Sequence, residues 1–186
     1  MKPIVLFLFA AIALCAQAQE GAKSPSTHPE SYWIEGLWQG YDGEWTHVTR
    51  QVLALAEATP ADKYGWRPTP GVRSFSEVYM HIVTANFFLL SVTGPKVPPG
   101  LGQDSEKKIT DKAQVIDWLT RSFEGVRVER AKVQHADFGK AVKFDKYTGT
   151  VDGMYMRIIV HANEHMGQAI AYARIAGFAP PWSKSE

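Results

Sequence analysis

Four long segments of this chain repeat apolar side chains every three and four residues, and no segment alternates apolar with polar residues in the manner of a repeated strand. That period places the apolar groups on one stripe of an α-helix, and a stripe must be buried against a partner. The first segment carries Ile34, Trp38, Tyr41, Trp45, Val48, Val52 and Leu55, and Thr59-Pro60 ends it near Ala58. The second opens at Ser74 with Glu77 three residues on, the spacing of a capping box, and sets Val78, His81, Ala85, Phe88 and Val92 on one face. The third starts at Thr110 or Asp111 and carries Val115, Trp118 or Leu119, Ser122 and Val126 before polar residues take over near Gln134. The fourth runs from about Thr150 to Ala176 and stops at Gly177. Four such helices predict an all-α fold, a four-helix bundle with one shared core.

The connections are equally readable. Between Ala61 and Arg73, Gly65, Pro68, Pro70 and Gly71 forbid regular structure. A second Pro- and Gly-rich loop, Gly94 to Ser105, is long enough to cross over the bundle or cover a cleft, and a third, Phe138 to Gly149, has room for a short extended piece. No repeat of fixed period interrupts this order.

Upstream of the helices, Met1-Lys2-Pro3 leads into the apolar run Ile4 to Ala16 and the small-residue site Ala16-Gln17-Ala18. This reads as a cleavable signal peptide over residues 1–18, followed by a disordered leader over 19–29 and a domain over 30–182. The apolar run is too short for a spanning helix, so the expected product is secreted or periplasmic, with no membrane association once the signal is removed. The single cysteine, Cys15, lies within the signal behind Leu14, where lipidation sites want a small residue. Cleavage after Ala18 leaves a mature domain with no disulfide, thiol nucleophile or thiolate ligand. Losing Lys2 brings 20 basic and 19 acidic residues into balance. The charges are interleaved, so no nucleic-acid footprint is expected.

Against that background the fourth helix is unusual, because His161 and His165 stand four residues apart on its inward stripe of Met154, Ile158, Gln168 and Tyr172. Both imidazoles leave one face and can grip one ion, and His81 interrupts the second stripe in the same way. Three neutral nitrogen donors favour zinc, nickel, iron or copper over magnesium or calcium, with zinc or nickel the leading expectation. Three ligands also leave a position for water or substrate. The bland alternative is a set of hydrogen-bonded core histidines, but burying three unpaired imidazoles is costly.

His161-Ala162-Asn163-Glu164-His165 also fits the H-x-x-E-H pattern of inverted zinc proteases, in which the glutamate is the general base. On a small bundle, Glu164 reads better as a solvated group or one that orients a ligand imidazole. Gln168, one turn past His165, can bond water or substrate. Tyr79, Tyr155 and Tyr172 either line a cavity or fill the core. His28, His47 and His135 read as surface residues.

The stretch Asp62-Lys63-Tyr64-Gly65-Trp66-Arg67-Pro68-Thr69-Pro70-Gly71 leading to His81, then His161-x-x-x-His165-Met166-Gly167-Gln168-x-x-x-Tyr172, then Gly177-x-x-Pro180-Pro181, resembles the DinB-like family, also called YfiT-like, across almost the whole mature chain. The resemblance implies an up-down-down-up bundle, often a homodimer, holding a divalent metal on three histidines matched here by His81, His161 and His165. Relatives of assigned chemistry include thiol S-transferases using bacillithiol or mycothiol and a maleylpyruvate isomerase. The export signal sets this chain apart from those intracellular proteins and their cytoplasmic thiols. The expectation is therefore a metal-dependent hydrolase or transferase acting on a small-molecule substrate. Metal-activated water would attack an ester, amide or related electrophile, with Glu164 or Gln168 steering it. Two alternatives stand beside it: a non-catalytic bundle that binds a metal or small ligand, and a thiol-dependent S-transferase. In a purely structural protein, Trp33, Trp38 and Trp45 could instead cover a homodimer face.

Overall fold

The computed structural model describes residues 40–102 and 104–183. The segments expected to be a signal peptide and a leader, with His28, Trp33, Ile34 and Trp38, lie outside the described residues. Helix α1 spans Tyr41–Ala58, α2 Phe75–Ser91, α3 Ser105–Lys108, α4 Lys112–Ala131 and α5 Val151–Ile175, with a hairpin of β1 (Ala141–Phe144) and β2 (Tyr147–Thr150) before α5. α2 and α1 each pack on both α4 and α5, closing a four-sided bundle.

Pairwise contacts fix the direction of each helix. Trp45 near the start of α1 donates its indole N–H to Phe123 O well along α4, and Lys112 at the start of α4 donates to the carbonyls of Glu57 and Thr59 at the end of α1, so the two run antiparallel. Those lysine bonds satisfy carbonyls that the end of α1 leaves open. Tyr41 meets Tyr155 near the start of α5, so α1 and α5 are parallel, while Phe75 at the start of α2 meets Tyr172 near the end of α5. Asn86 bonds Ser122, placing α2 parallel to α4. The result is the up-down-down-up bundle, in which two parallel neighbours in sequence require the crossover that the loop after α2 supplies.

The helix ends follow their local chemistry. Ser74 Oγ accepts from Glu77 N–H while Glu77 Oε2 accepts from Ser74 N–H at 2.7 Å, the full capping box. Asp111, rather than Thr110, caps α4 by accepting from Gln114 N–H. α5 closes on Gly177 at φ +90°, with Phe178 N–H reaching back to Ala173 O, a Schellman ending that a side chain at Gly177 would strain. The loop after α1 also caps α2, because the carbonyls of Tyr64 and Trp66 accept from Ser76 and Phe75 N–H.

Two expectations are corrected here, and the alternative left open on α4 is decided. The stripe of His81, Ala85, Phe88 and Val92 on α2 is half-buried, while Tyr79, Met80, Ile82 and Val83 fill the core. Trp45 is buried against Phe123 and Tyr41 and offers nothing to a partner face. On α4 it is Leu119 that faces the core; Trp118 stays half-buried, with Arg121 stacked on its ring. Tyr79 and Tyr155 are core residues. No helix among the described residues is long and apolar enough to cross a membrane.

Candidate metal centre

α2 and α5 are antiparallel neighbours, so His81 in the middle of one faces His161 and His165 in the middle of the other. One nitrogen from each histidine lies within 4.8 Å of the others, and this is the one such group of three or more ligating side chains among the described residues that includes a histidine pair on one helix. His81 Nε2 and His161 Nε2 are 3.1 Å apart. Two nitrogens bound to one tetrahedral zinc at roughly 2.0–2.1 Å would stand about 3.3 Å apart, so the pair is already near that spacing.

The outer nitrogens explain why the inner ones are available. His81 Nδ1 donates to Glu106 Oε1 at 2.6 Å, since a carboxylate only accepts, and Arg73 Nε donates to Glu106 Oε2 at 2.8 Å. Arg73 Nη2 also sits 3.1 Å from His81 Nδ1, but with the proton on that nitrogen it has no lone pair there to receive it. His165 Nδ1 donates to Gln168 Oε1 at 2.8 Å, and Gln168 Nε2 donates to Tyr172 OH at 2.9 Å. With Nδ1–H fixed in both rings, the Nε2 lone pairs of His81 and His165 remain as donors to an ion.

His161 completes the test of fit. It is only 7 % exposed, and its Nδ1 is buried without a partner. If its proton sits on Nε2 it serves His81 and strands the Nδ1 lone pair; if it sits on Nδ1 the N–H is stranded and inward lone pairs face one another. A cation at the focus accepts every inward lone pair. The donor set therefore fits a divalent ion.

Electrostatics agree with this arrangement. Burial, then the adjacent His165 and His81, push the His161 pKa from 6.5 down to about 3. Burial also lowers that of His165. Both rings are held neutral, the form that binds metal. Glu106 is partly buried, which works to raise its pKa, but the hydrogen bonds from His81 and Arg73 outweigh burial and bring it to about 2. It stays ionised as the acceptor that His81 needs.

Glu164 and Gln168 part company here. Gln168 touches a ligand ring. Glu164 is exposed, and its oxygens take Arg157 Nη1 and Nη2 at 3.1 and 3.0 Å, an ion pair spanning about two turns of the same helix. The carboxylate that does reach a histidine is Glu106, on the four-residue α3 within the crossover. In the sequence it is an acidic residue just past the Gly94 to Ser105 loop, two residues after Asp104, with no period to mark it. His47 is half-buried rather than on the surface, and His135 is exposed as expected.

Two hollows meet at Glu106. A cavity of about 460 Å³ opens on His81 and His161, walled by Ala85, Phe88, Leu89 and hairpin residue Phe144. A polar cleft of about 650 Å³ lies between Arg67, Arg73, Lys107 and Gln168.

Fold and site together define an all-α bundle protein with a three-histidine site able to hold a divalent metal. The DinB superfamily model matches residues 44–169, more than half of the chain, and the chain belongs to that superfamily. The crystal structure of a DinB-like protein from Bacillus cereus is similar, with a TM-score of 0.65 at 22% identity over 78% of this chain and 97% of that one; at this identity the likeness speaks for the fold alone. No curated protein matches the chain by sequence.

Glu106→Gln should keep a hydrogen bond to His81 but remove the charge that polarises the ring. Zinc affinity is expected to fall by about 10–100-fold, read by competition with a chelating dye. An unchanged affinity would mean that Glu106 serves only the loop.

Proposed function

We propose that this chain is a divalent-metal-dependent enzyme of hydrolase or transferase type, exported by its N-terminal segment, that acts on a small molecule bound in the cavity beside the three histidines. The observation that carries the reading is the inward convergence of three imidazole nitrogens beside an open cavity, the arrangement of a reactive site rather than of a closed structural one. A zinc or nickel ion held there would supply a Lewis acid able to polarise a carbonyl-type group and to make water acidic enough to react near neutral pH.

The chain's own residues have distinct tasks in this reading. His81, His161 and His165 hold the ion. Glu106 and Gln168 are positioning residues that fix the His81 and His165 rings and their tautomers. Neither nearby carboxylate is well placed to take up a proton at neutral pH, because Arg157 holds Glu164 below its ordinary pKa and the hydrogen bonds from His81 and Arg73 bring Glu106 to about 2. The apolar cavity walls exclude water and orient the substrate.

Elemental mass spectrometry on protein purified from its native compartment, paired with a screen of esters, amides and related electrophiles, tests the proposal. About one zinc or nickel ion per chain is expected, with turnover that a chelator abolishes and the ion restores. Tight stoichiometric metal with no turnover across the screen would replace the enzyme with a metal-binding bundle. No metal in the intact protein would remove both readings.

A further inference from the structure

The cavity beside the histidines has an apolar wall and a charged rim whose charges cancel. Ala85, Phe88 and Leu89 come from α2 and Phe144 from the hairpin, so a ligand body there touches carbon on several sides. Histidines aside, Arg157 is the one cation among the described residues that lines the cavity, and Glu164 occupies both terminal nitrogens of its guanidinium. Glu106, the one lining carboxylate, is likewise taken by His81 and Arg73. The volume, about 460 Å³, sits toward the lower end of the roughly 300–1,000 Å³ usual for small-molecule pockets.

We infer that this cavity selects a neutral ligand with a compact apolar body, such as an aromatic or short-chain amide or ester, and that Glu164 is the specificity-determining residue because it neutralises Arg157 at the rim. This deepens the enzyme proposal and rests on it for the reaction. The choice of a neutral body rests on the cavity alone. An anion entering here would lose hydration without gaining a free cation, which burial in an apolar site makes unfavourable. Were Glu164 absent, the freed fork of Arg157 would match a carboxylate in bidentate fashion.

The test uses metal-free protein at about pH 8, so that carboxylate binding to an ion cannot interfere, and compares benzamide with benzoate by calorimetric or ligand-observed NMR titration. Benzamide is expected to bind about tenfold more tightly than benzoate. Glu164→Gln should move that ratio toward benzoate by about fivefold, the scale of one partly exposed ion pair. Ala85→Trp, which fills the cavity, should remove benzamide binding. Equal binding of the two probes, or a ratio unmoved by Glu164→Gln, would overturn the proposal, as would benzamide binding that survives Ala85→Trp. Because Glu164 is exposed, the glutamine variant is expected to fold and keeps the test decisive if the tryptophan variant does not. These readouts need no metal and no turnover, so failure of the enzyme reading shows in metal content and catalysis while failure of this one shows in the probe ratio.

Discussion

His161→Ala should strip the protein of stoichiometric zinc while leaving the metal-free bundle folded. Structural zinc sites with four ligands contribute roughly 10–16 kcal/mol, so one ligand is worth on the order of 3–4 kcal/mol, or a few hundredfold in affinity. Equilibrium competition against a chelator of known affinity reads this directly. The metal-free form should lose little, because two effects oppose each other. Truncating a side chain that is 7 % exposed opens a small void, but it also removes a buried nitrogen that has no hydrogen-bond partner. A variant that retained one ion per chain would disprove the three-histidine site.

The same substitution should flatten part of the acid sensitivity of the metal-free protein. The ordinary His161 pKa of 6.5 falls to about 3 in the fold, so below pH 6.5 the unfolded chain takes up a proton that the folded chain refuses. Stability attached to this residue is therefore fully present above pH 6.5 and is lost as pH falls toward 3. Glu106 adds loss in the same direction lower down, between its ordinary 4.5 and about 2. Urea midpoints taken from about pH 7 to about pH 5 should drop further for the wild type than for His161→Ala. Parallel curves would show that His161 is not held neutral.

Phe75→Ala should have the opposite profile, a large loss of stability with the metal site spared. Phe75 is fully buried at the start of α2, with ring centres 5.8 Å from both Trp66 and Phe178, 6.1 Å from Tyr79 and 5.6 Å from Tyr172. Truncating a buried phenylalanine costs about 3–5 kcal/mol, a large share of the roughly 5–15 kcal/mol that holds a domain folded. A denaturant midpoint measures it. Zinc affinity should fall by less than about tenfold, because the bond from His165 to Gln168 is local to α5 and survives loosening of Tyr172 beneath it. If affinity collapsed with stability, the aromatic cluster would be part of the site's support and not only of the core.

How much of this was written in the sequence varies from element to element. The capping box at Ser74 and Glu77, the stop at Gly177 and the shared face of His161 and His165 depend on residues within a turn or so of one another, and each formed as the local pattern required. The end of α4 came at Ala131 rather than near Gln134, a boundary that weak terminal hydrogen bonding leaves loosely specified. α2 was harder. It is apolar nearly all round, so a period of three and four residues identifies a helix without saying which of several stripes lies deepest. The stripe bearing His81 turned out to be the cavity wall.

The sequence by itself determined the four helices, their caps and the two ligands that share α5, because those properties are settled by the spacing of side chains along one helix. Only the tertiary structure decided that Glu106 meets His81, that Glu164 meets Arg157 at a cavity rim instead of a ligand ring, and that Phe144 walls the cavity. Glu106 and His81 are 25 residues apart, and what brings them together is the path of the crossover between two parallel helices. A four-residue helix and an exposed hairpin carry no period of their own. Their positions follow from packing against the finished bundle, and contacts that form only after distant elements dock leave no repeating mark in the chain.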